Sequence, residues 1–244
     1  MAISRPPYPC KYLKLPFSFE VQRIEAELQA LNNTPWIAHS NTHCYEGNWH
    51  CLPLRSVNGA CNDITTADDA NYQDTPALER CPYLQQVLDT FECEKSSIRL
   101  MTLTPGSSIK PHRDRGGAFE DGIARLHIPL RTHPDVTFVV EEQTLHMSLG
   151  DTWYLNAACT HAVYNRSPQS RTHLMLDCRV NPWLERLFTR SGFIARPRSP
   201  YGDPLINDNN VQAIIRHLRS GGTPGELMLA QQLETTYRGR GTTP

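Results

Sequence analysis

Nothing in these 244 residues approaches the roughly 20-residue apolar run that a membrane-spanning helix requires. The opening stretch MAISRPPYPCKYLKL also lacks the apolar core of a secretory leader, so a cytoplasmic protein is expected. Excess charge of either sign is missing: 24 Lys and Arg against 25 Asp and Glu leave a formal net charge of −1. Neither nucleic acid nor a polybasic membrane contact therefore has an electrostatic footprint. The eight cysteines include no C-x2-C pair and no finger-like spacing. In a chain of this size without a leader, reduced thiols are expected rather than a disulfide framework. Internal repeats and low-complexity blocks are absent too. What is there, 39% apolar residues with 19 prolines, describes a globular, loop-rich chain long enough to bury a full core.

Taken in order, residues 20–31 place Val21, Ile24, Leu28 and Leu31 at helical spacing, and Thr34-Pro35 ends the run. Residues 36–54 alternate aromatic, polar and small side chains, which predicts a hairpin turning near Glu46-Gly47-Asn48. His39, His43 and His50 lie there without a carboxylate at close spacing and are expected to be exposed or hydrogen-bonded. Residues 56–75, rich in Asn, Asp, Gly and Thr, read as a long surface loop of the kind that serves as a lid. Residues 75–90 read as one helix capped by Thr75. From Ser97 onward short strand-like runs separated by Gly and Pro predict an antiparallel β-sandwich or barrel. One hairpin tip is expected at Glu142-Gln143. NPWLERLF reads as a helix leaving the barrel, and two more helices follow in the tail. The expected division is a β domain over 1–190 and a linker with helical tail over 191–244.

Three side chains organise the β region. His112 and Asp114 are two apart, so on a strand they share a face. His161 follows after several strand-like runs, and a folded-back sheet brings it opposite the pair. Two imidazoles and one carboxylate on one side of a metal, with other positions open, suit non-haem Fe(II). An HxD pair alone carries little weight. The offsets G-x5-H-x-D from Gly106 and G-x10-H-x3-N from Gly150 add to it, because they resemble the two metal motifs of cupin-type barrels. Arg171 opens the strand SRTHLMLDC, and a guanidinium inside an apolar barrel asks for an anion such as a carboxylate. A surface arginine paired with an acid is the competing reading. Arg125 and His127 share a face and point to further carboxylate or metal-water contacts, with a backbone-satisfied core histidine as the alternative for His127. Cys159, two residues before His161, is the one thiol singled out, with a buried packing role as its other reading.

The segment over residues 99–183, with PGSSIKPHRD, FEDGIARLHIPL, GDTWYLN, HAVYNRS and RTHLMLDCRVN, resembles the aspartyl/asparaginyl β-hydroxylase family of Fe(II)- and 2-oxoglutarate-dependent dioxygenases. WIAHSN and YEGNW extend the likeness more weakly upstream. The resemblance implies a mainly β fold with flanking helices: a distorted double-stranded β-helix, jelly-roll and cupin-like, with a small C-terminal helical extension. It implies Fe(II) held by His112, Asp114 and His161, with 2-oxoglutarate as co-substrate and O2 as oxidant. The distal carboxylate of 2-oxoglutarate would meet Arg171, with Arg125 and His127 helping to position the co-substrate. The expected reaction hydroxylates an unactivated C–H and releases succinate and CO2. The animal aspartyl hydroxylases carry glycine where Asp114 stands, so the complete triad is similar to the bacterial branch that includes cis-proline hydroxylases. The serine that assists 2-oxoglutarate in the animal enzymes falls on Met101. Candidate substrate contacts are Arg113, Arg115, Glu120, Trp49 and Arg55, each also readable as loop charge or, for Trp49, core. A free amino acid and one held in a peptide or on a carrier protein both remain open as substrate. A cupin-like metal enzyme or binding module without 2-oxoglutarate is the alternative.

Overall fold

A computed structural model describes residues 8–31, 33–67, 69–114, 116–196, 200–203 and 205–240. The chain separates into two compact units, Cys10–Ile194 and a second formed by the chain from Ala195 onward, which Tyr8 joins. In the second unit the Arg196 guanidinium lies 3.8 Å over the Tyr8 ring. The division falls four residues later than the expected one at 190, and Phe193 packs against the core of the first unit.

In the first unit, strands run in chain order as β1 (Tyr12–Ser18), β2 (Ile37–Ala38), β3 (Tyr45–Glu46), β4 (Trp49–Val57), β5 (Tyr72–Asp74) and β6 (Lys95–Leu103). Then follow β7 (Ser108–His112), β8 (Ile123–Arg131), β9 (Val136–Val140), β10 (Gln143–Leu145), β11 (Asp151–Leu155), β12 (His161–Asn165) and β13 (Arg171–Arg179). One sheet has the order β1-β11-β8-β13-β6-β4-β2, with β5 on β4; the other has β10-β9-β12-β7-β3. All pairings are antiparallel. Two antiparallel sheets built from non-sequential neighbours make the expected jelly-roll.

Period-two alternation divides the larger sheet into two faces. Ile98, Leu100, Leu126, Ile128, Leu174 and Leu176 form one apolar core. That face is covered by α1 (Val21–Gln29), α3 (Pro82–Asp89) and α4 (Pro182–Arg190), through Ile24, Leu84, Val87, Leu184 and Phe188. Each such fully buried aliphatic or aromatic side chain is worth about 1.5–3 kcal/mol. The intervening residues Arg99, Arg125, His127 and Arg171 look the other way and line a cavity. Burying polar residues on one face of a central strand is costly, so the second face is where a function has to be sought.

Three local expectations change. Residues 36–54 do not form one hairpin: β2 pairs with β4, whereas β3 pairs with β7 in the other sheet. Gly47, at φ +79° with Ser107 against it, is the corner between sheets. The helix expected over 75–90 is two, α2 (Pro76–Glu79) and α3. Pro82 lacks an N–H and forces Cys81 out of the helical region, to φ −125° and ψ 73°. Thr75 makes no side-chain cap, because its hydroxyl donates to the Pro53 carbonyl at 2.9 Å.

The second unit carries α5 (Val211–Gly221) and α6 (Pro224–Arg240). Thr223 and Glu226 cap α6 reciprocally, at 3.1 and 3.3 Å. Val211, Ile215, Ala230 and Leu233 form its own small core. No helix of the described residues is long and apolar enough to cross a membrane.

Candidate active site

His112 ends β7 and His161 begins β12, and the register pairs these two residues directly. Their rings stand 4.2 Å apart. Asp114 follows β7 in a short loop held against the turn before β12. Its N–H donates to the Ala157 carbonyl at 2.8 Å, and the Ala157 N–H donates to Gly117 at 2.9 Å. Gly117 has to be glycine for that approach, since a Cβ would stand 2.7 Å from the Ala157 Cβ. One ligand atom from each of His112, Asp114 and His161 lies within 4.8 Å of the others.

The imidazoles are pre-set as ligands. His112 Nδ1 lies 2.8 Å from the Lys110 carbonyl, and His161 Nδ1 lies 3.0 Å from the Cys159 carbonyl. A carbonyl only accepts, so each Nδ1 carries the proton and each Nε2 keeps its lone pair. Burial, and then the neighbouring His112, push His161 down to about 4, which keeps it neutral. Burial opposes ionisation of Asp114, but Arg125 and both imidazoles outweigh it and hold the carboxyl below its ordinary range. Two imidazole nitrogens and one carboxylate oxygen, open to a cavity, fit Fe(II) with positions to spare.

Behind Asp114 stands Arg125. The register sets it opposite Asp177, which it grips through Nε at 2.7 Å and Nη2 at 3.1 Å, while Nη1 donates to Asp114. Three of its five N–H groups thus go to the protein's own acids, and it orients the carboxylate ligand.

The cavity has a volume of about 450 Å³, within the usual range for a small-ligand site. The triad and Arg171 line the same space. Arg171 is 3% exposed and meets no carboxylate. Its Nη2 donates to His173 Nδ1 at 2.7 Å, its Nε has no partner, and it lies 5.7 Å over the Phe138 ring. Burial pushes this guanidinium down to about 9. His127 lines the cavity with both ring nitrogens unpartnered, and burial holds it well below its ordinary pKa. Unsatisfied buried groups gathered around one space are what a polar ligand would complete.

The other candidate contacts divide. Trp49 is buried in the cavity wall, stacked on His39 at 3.6 Å. Arg113 is at the mouth, donating to Thr160 at 2.7 Å. Arg115 lies outside the described residues. Glu120 belongs to the single turn Phe119–Asp121 and does not line this cavity. Arg55 is the clear correction. It bonds the Lys95 carbonyl at 2.9 Å, Asp74 at 2.5 Å and the Tyr72 carbonyl at 3.0 Å, so it ties β4, β5 and β6 together away from the cavity. Cys159 is buried, with its thiol pushed up to about 11 by burial, so its backbone carbonyl rather than its sulfur serves the site. All eight thiols are free.

Sequence reasoning passed over Arg99, and His39, expected to be exposed or hydrogen-bonded, accepts from the Asn41 N–H at 3.3 Å while lining the cavity. Arg99 is 6% exposed, bonds Ser97 at 2.6 Å and leaves Nη2 without a hydrogen bond at the cavity wall. An arginine inside the mainly apolar run IRLMTL was the available signal. The loop over 58–71 does overhang the cavity, contributing Ile64, Thr65 and Thr66.

Comparison with known proteins agrees with this geometry. The family model described as aspartyl/asparaginyl beta-hydroxylase matches residues 18–181. The L-proline cis-4-hydroxylase of Rhizobium meliloti (strain 1021) is 29% identical over 171 residues, covering 68% of this chain and 60% of that protein. An L-proline cis-3-hydroxylase of a Streptomyces species is 26% identical over 161 residues, covering 64% and 56%. The chain thus spans roughly three fifths of the length of these curated relatives. Among solved structures, an oxidoreductase of the 2OG-Fe(II) oxygenase family from Burkholderia pseudomallei aligns over 69% of this chain and 85% of its own. Its TM-score is 0.50 at 17% identity, a likeness of fold.

Proposed function

The chain belongs to the aspartyl/asparaginyl β-hydroxylase family, and from that premise we propose that it is a non-haem Fe(II)- and 2-oxoglutarate-dependent dioxygenase that hydroxylates a free amino acid. The observation that carries this reading is a buried arginine without an anion, Arg171, lining the same cavity as a two-histidine, one-carboxylate cluster. A keto diacid has the two ends this cavity asks for. Fe(II) bound at the triad would supply the redox chemistry by which O2 and 2-oxoglutarate become succinate, CO2 and a hydroxylated C–H.

The protein's own side chains do the rest. His112 and His161 present Nε2, fixed by their Nδ1 hydrogen bonds, and Asp114 presents an oxygen held ionised by Arg125. Arg171 receives the distal carboxylate, and His127 completes the pocket with a ring nitrogen that has no partner within the protein. Phe138, Leu155, Val163 and Met175 line the same space and keep water from it.

Arg99 favours a substrate with a free carboxylate. Its guanidinium is buried, and burial lowers its pKa against the pull of Asp177, which stands at 4.0 Å. A substrate carboxylate would satisfy Nη2, and the α-carboxylate of a free amino acid supplies one that an interior peptide residue has lost to its amide bond. The relatives named for L-proline make that amino acid and its ring analogues the first to try. Succinate release with Fe(II) and 2-oxoglutarate, across a panel of free amino acids, is the test. Succinate matched one-to-one by a hydroxylated amino acid supports the reading. Stimulation by peptides alone, or none by any amino acid, contradicts it.

A further inference from the structure

We infer that His173 is a positioning residue for co-substrate choice: by accepting a hydrogen bond from Arg171 it sets the guanidinium to take a 2-keto diacid in preference to a 2-keto monoacid. This rests on the reading of Arg171 given above.

Arg171 and His173 are two apart on β13, so they share the cavity-facing side. Both are buried, at 3% and 2% exposure. The contact of 2.7 Å runs from Arg171 Nη2 to His173 Nδ1, and an arginine can only donate. Nδ1 of His173 therefore holds the lone pair and Nε2 the proton, the opposite tautomer to the two imidazoles of the triad. Register fixes His173 from both flanks, against Met101 on β6 and Pro129 on β8. Arg171 has no carboxylate partner to orient it; it meets this imidazole and the face of Phe138. A neutral acceptor is suited to the task. It fixes the plane of the guanidinium without neutralising it, so the charge stays available to a ligand. A carboxylate at residue 173 would bind Arg171 more strongly and compete with the co-substrate. Removing the acceptor leaves Arg171 free to rotate within the cavity, so a diacid has to order it on binding.

The test compares His173→Asn with His173→Leu in the full chain loaded with zinc(II). Asn and Leu are near-isosteric, but only Asn offers an acceptor where Nδ1 stood. Affinity for 2-oxoglutarate and for pyruvate, which lacks the distal carboxylate, is read by calorimetry without turnover. His173→Leu is expected to weaken 2-oxoglutarate by about tenfold or more and to leave pyruvate unchanged. His173→Asn is expected to restore most of the 2-oxoglutarate affinity. Should His173→Leu fail to fold, the His173→Gln and His173→Met pair poses the same comparison. Equal 2-oxoglutarate affinity with and without the acceptor overturns the role of His173 and leaves the site reading standing. Wild-type protein with no preference for 2-oxoglutarate over pyruvate overturns the site reading, and this inference with it.

Discussion

Two arginines lining one cavity, Arg125 half-buried and Arg171 buried, have opposite surroundings. Arg125 lies between Asp177 and Asp114, and despite the cost of burial these acids raise its pKa above the ordinary arginine value. Arg171 has a neutral histidine and an aromatic face, and burial lowers it. The same residue type therefore does two jobs. A guanidinium already neutralised by the protein is part of the scaffold and aims a metal ligand. One left without an anion is a receptor. Burial alone does not distinguish them; the inventory of partners does.

Substitutions at the two ends should separate these roles. The largest effect is expected at the scaffold end. Asp177→Asn leaves Arg125 short of its buried carboxylate and should cost about 3–5 kcal/mol, a fall of roughly 10 °C in Tm by calorimetry. Metal affinity should weaken with it, because Arg125, which aims Asp114, loses the carboxylate that anchors it. An unchanged Tm would show that Arg125 is not held as described. Next comes Arg171→Met, which removes a buried charge that has no partner anion. Tm should hold or rise, while KM for 2-oxoglutarate rises about a hundredfold. A large loss of Tm would make Arg171 a structural residue like Arg125. Smaller still is Arg99→Met, expected to raise KM for the amino acid by about tenfold and to leave 2-oxoglutarate alone. An effect on 2-oxoglutarate instead would reassign the two cationic ends.

The comparison also shows what could be read in advance. The barrel was legible from period-two strands, and the clustering of His112, Asp114 and His161 from an HxD pair and a later His only with the glycine spacings and the family resemblance added. Arg171 was legible as a candidate because it opens a strand running among apolar residues. Whether it was paired was not, since the partners of a strand residue depend on register with β6 and β8. Arg55 was misjudged for the same reason: β5 and the Lys95 carbonyl, distant in sequence, take up its donors. Arg99 escaped notice because one arginine in a short strand ordinarily faces water. The hairpin over 36–54 failed because Gly47 turns the chain from one sheet to the other rather than back on itself.

The smallest effect concerns pH. Burial lowers both His39 and His161 from 6.5 to about 4. Between those values the unfolded chain binds protons that the folded chain does not, so stability should fall as pH drops from about 6.5 toward 4. Above 6.5 neither state is protonated there, and these two groups add no slope. His39→Phe keeps an aromatic ring against Trp49 and removes one of the two groups. Denaturation of the metal-free protein across this range should then show a shallower slope; an unaltered slope would mean that His39 does not titrate this way.

The most direct measurement is a crystal structure of the protein with manganese(II) and 2-oxoglutarate, prepared without the amino-acid substrate. The expected result is an ion on Nε2 of His112, Nε2 of His161 and a carboxylate oxygen of Asp114, with the far carboxylate of the diacid on Arg171. An ion bound elsewhere, or a diacid whose far end lies on Arg99 and leaves Arg171 unpaired, would contradict the assignment of the two ends.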